Sequence, residues 1–180
     1  MFNIKFANFV GLSLFLLSMV GINTNAYSES SNWYGGINIG RGDLDFSGYD
    51  DSSSLSLYAG NNLSDNGAYE FGYTDLGQFD VSGVPGTYIE VTGFEITGIG
   101  KMPVSNSVDL FAKFGIYFWN LDAVIFGTNI GGDDDNSITL GAGADFSFNG
   151  NVSGRVAFQQ YSDVSDEDIT NISIGIHTNF

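Results

Sequence analysis

Cysteine is absent from this chain of 180 residues. That excludes disulfides and thiolate metal sites, although it does not fix the compartment. Basic residues are scarce: five Lys and Arg stand against 21 Asp and Glu, giving a net charge of −16. So acidic a chain is not an electrostatic binder of nucleic acid. Proline occurs twice and histidine once. No phosphate loop, zinc motif or dinucleotide fingerprint is present. Charged residues make up only 14% against 43% hydrophobic ones, and that balance excludes disorder. What the chain has instead is 25 Gly, 16 Phe and 9 Tyr. Such a composition suits many short β-strands better than a bundle of helices.

The N-terminus carries an address. Lys5 supplies a positive start, residues 6–22 form the apolar segment, and Thr24-Asn25-Ala26 is a small-residue cleavage site. This pattern predicts a secretory signal peptide over 1–26, leaving one domain over 27–180. A membrane anchor would need about 20 apolar residues and no cleavage site. No later segment is long and apolar enough for a transmembrane helix.

The domain is read best from its last stretch. Ile172, Ile174, Ile176, Thr178 and Phe180 fall on one face, and Asn171, Ser173, Gly175, His177 and Asn179 on the other. A period of two is a β-strand. Left as an edge, so long and β-branched a strand would invite aggregation. Pairing it with the first strand removes the edge and closes a barrel, with the apolar face toward lipid and the polar face toward a lumen. Seven more alternating segments begin near Ser31, Ser54, Ala68, Tyr88, Val108, Ser137 and Val152. Polar stretches at 41–53, 75–86, 121–136 and 162–168 read as long loops. Tight turns at Ser64-Asp65-Asn66-Gly67, 103–107 and Asn149-Gly150-Asn151 alternate with them. This asymmetry predicts an all-β, closed, eight-stranded antiparallel transmembrane barrel with both chain ends in the periplasm. A soluble sandwich would place its charges in solvent and its aromatics in a core, the reverse of this pattern.

Several pieces resemble the small outer-membrane β-barrel family typified by the membrane domain of outer-membrane protein A. They are Trp33-Tyr34-Gly35-Gly36, Glu70-Phe71-Gly72-Tyr73-Thr74-Asp75-Leu76-Gly77, Phe111-Ala112-Lys113-Phe114-Gly115, Gly141-Ala142-Gly143-Ala144-Asp145-Phe146, Arg155-Val156-Ala157-Phe158 and the end at Phe180. The resemblance implies residence in the bacterial outer membrane, among its lipids and lipopolysaccharide, as a monomer. It also implies that Ile172, Ile174, Ile176 and Phe180 are the signal read by the barrel insertion machinery. The wall-tethering domain of longer relatives is not part of the expectation.

The candidate functional residues lie on the polar face. Alternation turns Glu70, Glu95, Lys113, Asp145 and Arg155 inward. Eight strands enclose a space that side chains fill, so the expectation is a structural, envelope-supporting or surface-contacting barrel with a paired polar plug. The alternative is a narrow gated ion channel whose ion pairs exchange partners. A third class, a lipid-modifying enzyme, needs a nucleophile, a base and an orienting group in contact. The sequence offers only the inward His177, with Ser173 and Ser147 as neighbours, and the chain is read as no enzyme. Asp43, Asp45, Asp50, Asp51, Asp75, Asp80, Asp122, Asp133 to Asp135, Asp163, Asp166, Glu167 and Asp168 make the external loops acidic. These loops are expected to be solvated, the other reading being weak divalent-cation binding. No metal or cofactor is expected. Arg41-Gly42-Asp43 spells an integrin-recognition tripeptide, a match of three residues that arises easily by chance.

Overall fold

In the computed structural model, residues 32–148 and 150–180 are described. The expected signal peptide and Asn149 of the last turn lie outside them. The described chain is eight antiparallel strands: β1 Trp33–Leu44, β2 Ser52–Ser64, β3 Gly67–Asp80, β4 Tyr88–Ser105, β5 Val108–Ile125, β6 Thr128–Ser147, β7 Val152–Val164 and β8 Glu167–Asn179. Each pairs with the next, and β8 returns to β1. The terminal strand therefore meets the first, from Tyr34 opposite Asn179 to Leu44 opposite Ile169. Closure removes the edge that its alternation would otherwise expose.

The ring is staggered. Stepping across partners from Tyr34 leads to Gly60, Glu70, Thr97, Gly115, Thr139, Tyr161 and Ile169, and back onto β1 at Leu44. One circuit thus displaces the start by ten residues, from Tyr34 to Leu44. That shear belongs with strands tilted by roughly 35–45° and an interior just wide enough for side chains. It also brings residues far apart in sequence to one height in the lumen.

The two faces separate as alternation requires. Ile37, Ile39, Phe71, Phe94, Ile96, Phe114, Ile116, Phe118, Ile138, Leu140, Phe158, Ile172, Ile174 and Ile176 are all exposed on the outside. A continuous apolar belt of this size is incompatible with water and matches the lipid-facing band of a membrane barrel. Aromatics stack edge-on along it, Trp33 against Tyr69 and Tyr73 against Phe94. Among the described residues no helix is long and apolar enough to cross a membrane, so crossing falls to the strands.

The strands are longer than the sequence suggests. The expected loops at 41–53 and 75–86 shrink to 45–51 and 81–87, and those at 121–136 and 162–168 to the two-residue turns Phe126-Gly127 and Ser165-Asp166. Asp43, Asp75, Asp80, Asp122, Asp133 to Asp135, Asp163, Glu167 and Asp168 accordingly sit on strands. The reason is physical. Charge forbids a strand in hydrocarbon, but past the lipid both faces of a hairpin meet water and pairing continues. Arg41-Gly42-Asp43 is likewise part of β1, not a loop, and the Arg41 guanidinium is held by Asp51.

Candidate functional site: the filled lumen

Three kinds of layer fill the interior. Toward the rim with the longer connections, Leu44, Leu76, Phe79, Val91, Tyr117, Trp119, Tyr161, Val164 and Ile169 form one buried apolar cluster. Loop 45–51 folds over it: Tyr49 bridges to Val81 and rests against the cluster with Ile89 and Leu121. This apolar stopper continues the inward parity of Lys113 and Tyr117 to Trp119. Extending the alternation past the presumed strand ends reaches Leu44 and Leu76, but Phe79 and Val164 lie beyond β-bulges that reverse the parity.

Beneath the stopper lies a polar layer. Lys113 Nζ donates to Glu95 Oε1 at 3.3 Å, and Gln159 Nε2 donates to Glu95 Oε2 at 2.5 Å and to Thr139 Oγ1 at 2.7 Å. The Glu95 carboxylate thus has partners on β5 and β7. Trp119 Nε1 donates to Ser137 Oγ at 2.8 Å, and Tyr117 OH donates to the Thr74 carbonyl at 3.0 Å, so these aromatics satisfy their polar ends as burial demands.

The third layer, in the half nearer Trp33 and Phe180, centres on Arg155. Its Nε donates to Asp145 Oδ1 at 2.7 Å, and one terminal nitrogen donates to Asp145 Oδ2 at 2.9 Å. The other terminal nitrogen donates to Glu70 Oε1 at 2.6 Å. Tyr34 OH donates to the same Glu70 oxygen at 2.8 Å. The guanidinium carbon lies 4.8 Å from the ring centre of Tyr58 and 4.6 Å from that of Phe111. A planar, weakly hydrated cation suits this fork-and-stack setting better than an ammonium does. Arg155 and Asp145 are direct cross-strand partners. Glu70 reaches the group across the lumen because of the ten-residue stagger.

All five inward residues named from the sequence are buried: Glu70, Glu95, Lys113, Asp145 and Arg155. They form two sets, Arg155 with Asp145 and Glu70, and Lys113 with Glu95. Lys101 shares the inward parity of Glu95 and Thr97 on β4 but was not among the residues named from the sequence. It bonds Asn62 Oδ1 at 2.7 Å and lies 4.9 Å from the Tyr34 ring centre, near the end of the lumen. His177 Nδ1 sits 3.3 Å from Tyr58 OH, with its ring 5.4 Å from Tyr34. Ser153, not Ser147, is its cross-strand partner, and Ser147 and Ser153 share a hydroxyl contact of 3.4 Å. Ile172, Ile174 and Ile176 face outward, and Phe180 N–H donates to the Trp33 carbonyl at 3.0 Å.

Inward glycines make room for this filling. A Cβ at Gly60 would lie 2.3 Å from Cζ of Tyr34, and one at Gly143 would lie 2.2 Å from the Val156 carbonyl and 2.6 Å from Phe111 Cζ. Each glycine is the cross-strand partner of its aromatic, Gly60 of Tyr34 and Gly143 of Phe111, so the ring lies over a neighbouring strand that carries no side chain there.

A family model described as the OmpA-like transmembrane domain matches residues 28–178. The chain belongs to this family. It is an outer-membrane barrel of bacterial type. Solved structures share its fold at low identity. Neisserial surface protein A superposes with a TM-score of 0.67 at 16% identity, covering 85% of this chain and 100% of that one. Ail, the attachment invasion locus protein of Yersinia pestis, gives 0.59 at 15%, covering 85% and 100%. The outer-membrane enzyme PagL gives 0.52 at 15%, covering 82% and 99%. A surface protein and an enzyme share this fold, so function rests on the site and not on the fold. No curated protein matches the chain in sequence.

Proposed function

We propose that this OmpA-like barrel is a sealed wall element of the outer membrane, serving envelope integrity and surface contact through its acidic rim. One observation carries the reading: side chains occupy the lumen from the Trp119 layer through the Glu95 layer to the Arg155 layer. Passage of ions would require both charged sets to part and the apolar stopper to move, and stranded buried charges are costly. Short turns and both chain ends lie on the periplasmic side, and the longer hairpins stand outside. The apolar belt meets lipid, the last strand and Phe180 engage the insertion machinery, and the barrel acts as a monomer. The test is conductance of the refolded protein in planar bilayers. No steady openings are expected, and a host lacking the protein should admit detergents more readily. Steady single-channel openings would overturn the sealed-wall reading in favour of a narrow channel.

A further inference from the structure

Strand β6 has a bare edge. It pairs with β5 along its whole length, from Phe146 opposite Val108 to Thr128 opposite Ile125. It pairs with β7 only from Ser147 opposite Ser153 to Ile138 opposite Ser162. Ser137 still reaches β7 through its hydroxyl, which donates to the Asp163 carbonyl, and residues 128–136 have strand geometry and one neighbour. At about 3.4 Å per residue the free edge is roughly 31 Å long. An unpaired edge is a template for another strand.

Three features say what this edge takes. The first is its charge. Asp133, Asp134 and Asp135 lie on it and Asp122 lies beside it on β5, all projecting beyond the apolar belt. Among the described residues the basic side chains are elsewhere: Arg41 is bound to Asp51, and Lys101, Lys113 and Arg155 sit in the lumen. The second is the state of the edge donors. Asp134 N–H donates to Asp133 Oδ1 at 3.0 Å and Asn136 N–H to Asp135 Oδ1 at 2.8 Å. The two amides are two residues apart, so they point to the same edge. Carboxylates occupy donors that an added strand would otherwise use. The third is the hairpin tip. Phe126 has φ of 48° and is 74% exposed, beside the exposed Ile125 and Ile130. A bulky aromatic held in the left-handed region of a two-residue turn, where Asn would be easy, is strained.

We infer that the β6 edge binds an extended polypeptide segment carrying Lys or Arg, taken up as an added strand. This rests on the proposed outward display of the rim, and it names the partner's chemistry. Cations of the incoming segment draw the Asp133 and Asp135 carboxylates away. The Asp134 and Asn136 amides then donate to its carbonyls, and Phe126 and Ile130 give it an apolar stop at the tip. A second copy of this chain is disfavoured, because it would bring the same aspartates against themselves.

The experiment uses the full barrel refolded in nanodiscs and a fluorescent eight-residue peptide of alternating Lys and Val. A second peptide has the same residues with alternate backbone nitrogens methylated. The unmodified peptide should bind with salt-sensitive affinity, and methylation should weaken it at least tenfold, as loss of strand pairing requires. The Asp133→Asn, Asp135→Asn double variant keeps the capping oxygens but loses two charges, and should bind about tenfold more weakly. Equal binding of the methylated peptide would overturn the inference by showing attraction of charge alone. Absence of binding by either peptide would overturn it too, as would tighter self-association than peptide binding. The outward display is tested separately. With no native cysteine, Thr128→Cys should react with a membrane-impermeant maleimide on intact cells. Peptide binding without that labelling would refute the surface-contact reading while leaving the edge inference standing.

Discussion

Arg155 and Asp145 face each other across β6 and β7, joined by two parallel hydrogen bonds of 2.7 and 2.9 Å. The pair stands five residues on either side of Gly150 in the connecting turn. Its third member, Glu70, arrives from β3 and takes the remaining guanidinium nitrogen.

Removing the cation should therefore leave two buried carboxylates without their partner. Arg155→Met is expected to cost about 3–5 kcal/mol of unfolding free energy, the range for breaking a buried ion pair. The triple variant Glu70→Gln, Asp145→Asn, Arg155→Met should lose less than the single one. Urea unfolding in lipid vesicles followed by tryptophan fluorescence measures both. Additive losses would show that the three side chains act independently.

Space in the lumen makes a second prediction. Gly143→Ala places a methyl group against the Val156 carbonyl and the Phe111 ring, whereas Gly100→Ala meets nothing within 4 Å. The first should abolish or strongly reduce the heat-modifiable folded band on gels, and the second should leave it unchanged. Equal behaviour of the two variants would mean that the wall relaxes freely around added volume.

The β7–β8 turn is strained in a correctable way. Ser165 and Asp166 have φ of 55° and 70°, the left-handed pair that Asn-Gly adopts readily. Ser165→Asn with Asp166→Gly should stabilise the barrel by about 1 kcal/mol, the scale of the left-handed penalty for one residue. The urea midpoint reports it, and a lower midpoint would contradict the backbone geometry.

Phe180 bears on assembly. Its amide donates to the Trp33 carbonyl, so it fastens the end of β8 to the start of β1. Deleting it should leave export across the inner membrane intact while the chain accumulates in the periplasm unfolded. Fractionation with and without heating separates these steps, and wild-type amounts of folded outer-membrane protein would exclude the role.

Much of this was legible because alternation is local. The parity of Leu110, Ala112 and Phe114 turns Lys113 inward, and a turn centred on Gly150 sets Asp145 opposite Arg155. Other parts depend on information no single strand holds. The height of Glu70 above its turn already set it near Arg155, but the reach of Gln159 to Glu95 follows from the ten-residue stagger of the closed ring. Asp133 to Asp135 read as loop because the argument from lipid stops where the lipid stops. Phe126-Gly127 and Ser165-Asp166 hid as turns because neither carries the Asn-Gly signature of the geometry it adopts.

The position of Arg155 on the seventh strand also constrains how the molecule comes into being. Glu70 and Asp145 precede it along the chain. An intermediate holding only β1 to β6 would carry both carboxylates into a forming interior without the guanidinium that joins them, and its Tyr58 and Phe111 rings would lack the cation they flank. Such a half-ring has no favourable resting place in hydrocarbon. Insertion is thus favoured as a concerted event, delayed until the last hairpin is at hand, and the stages before it belong to the water side of the membrane.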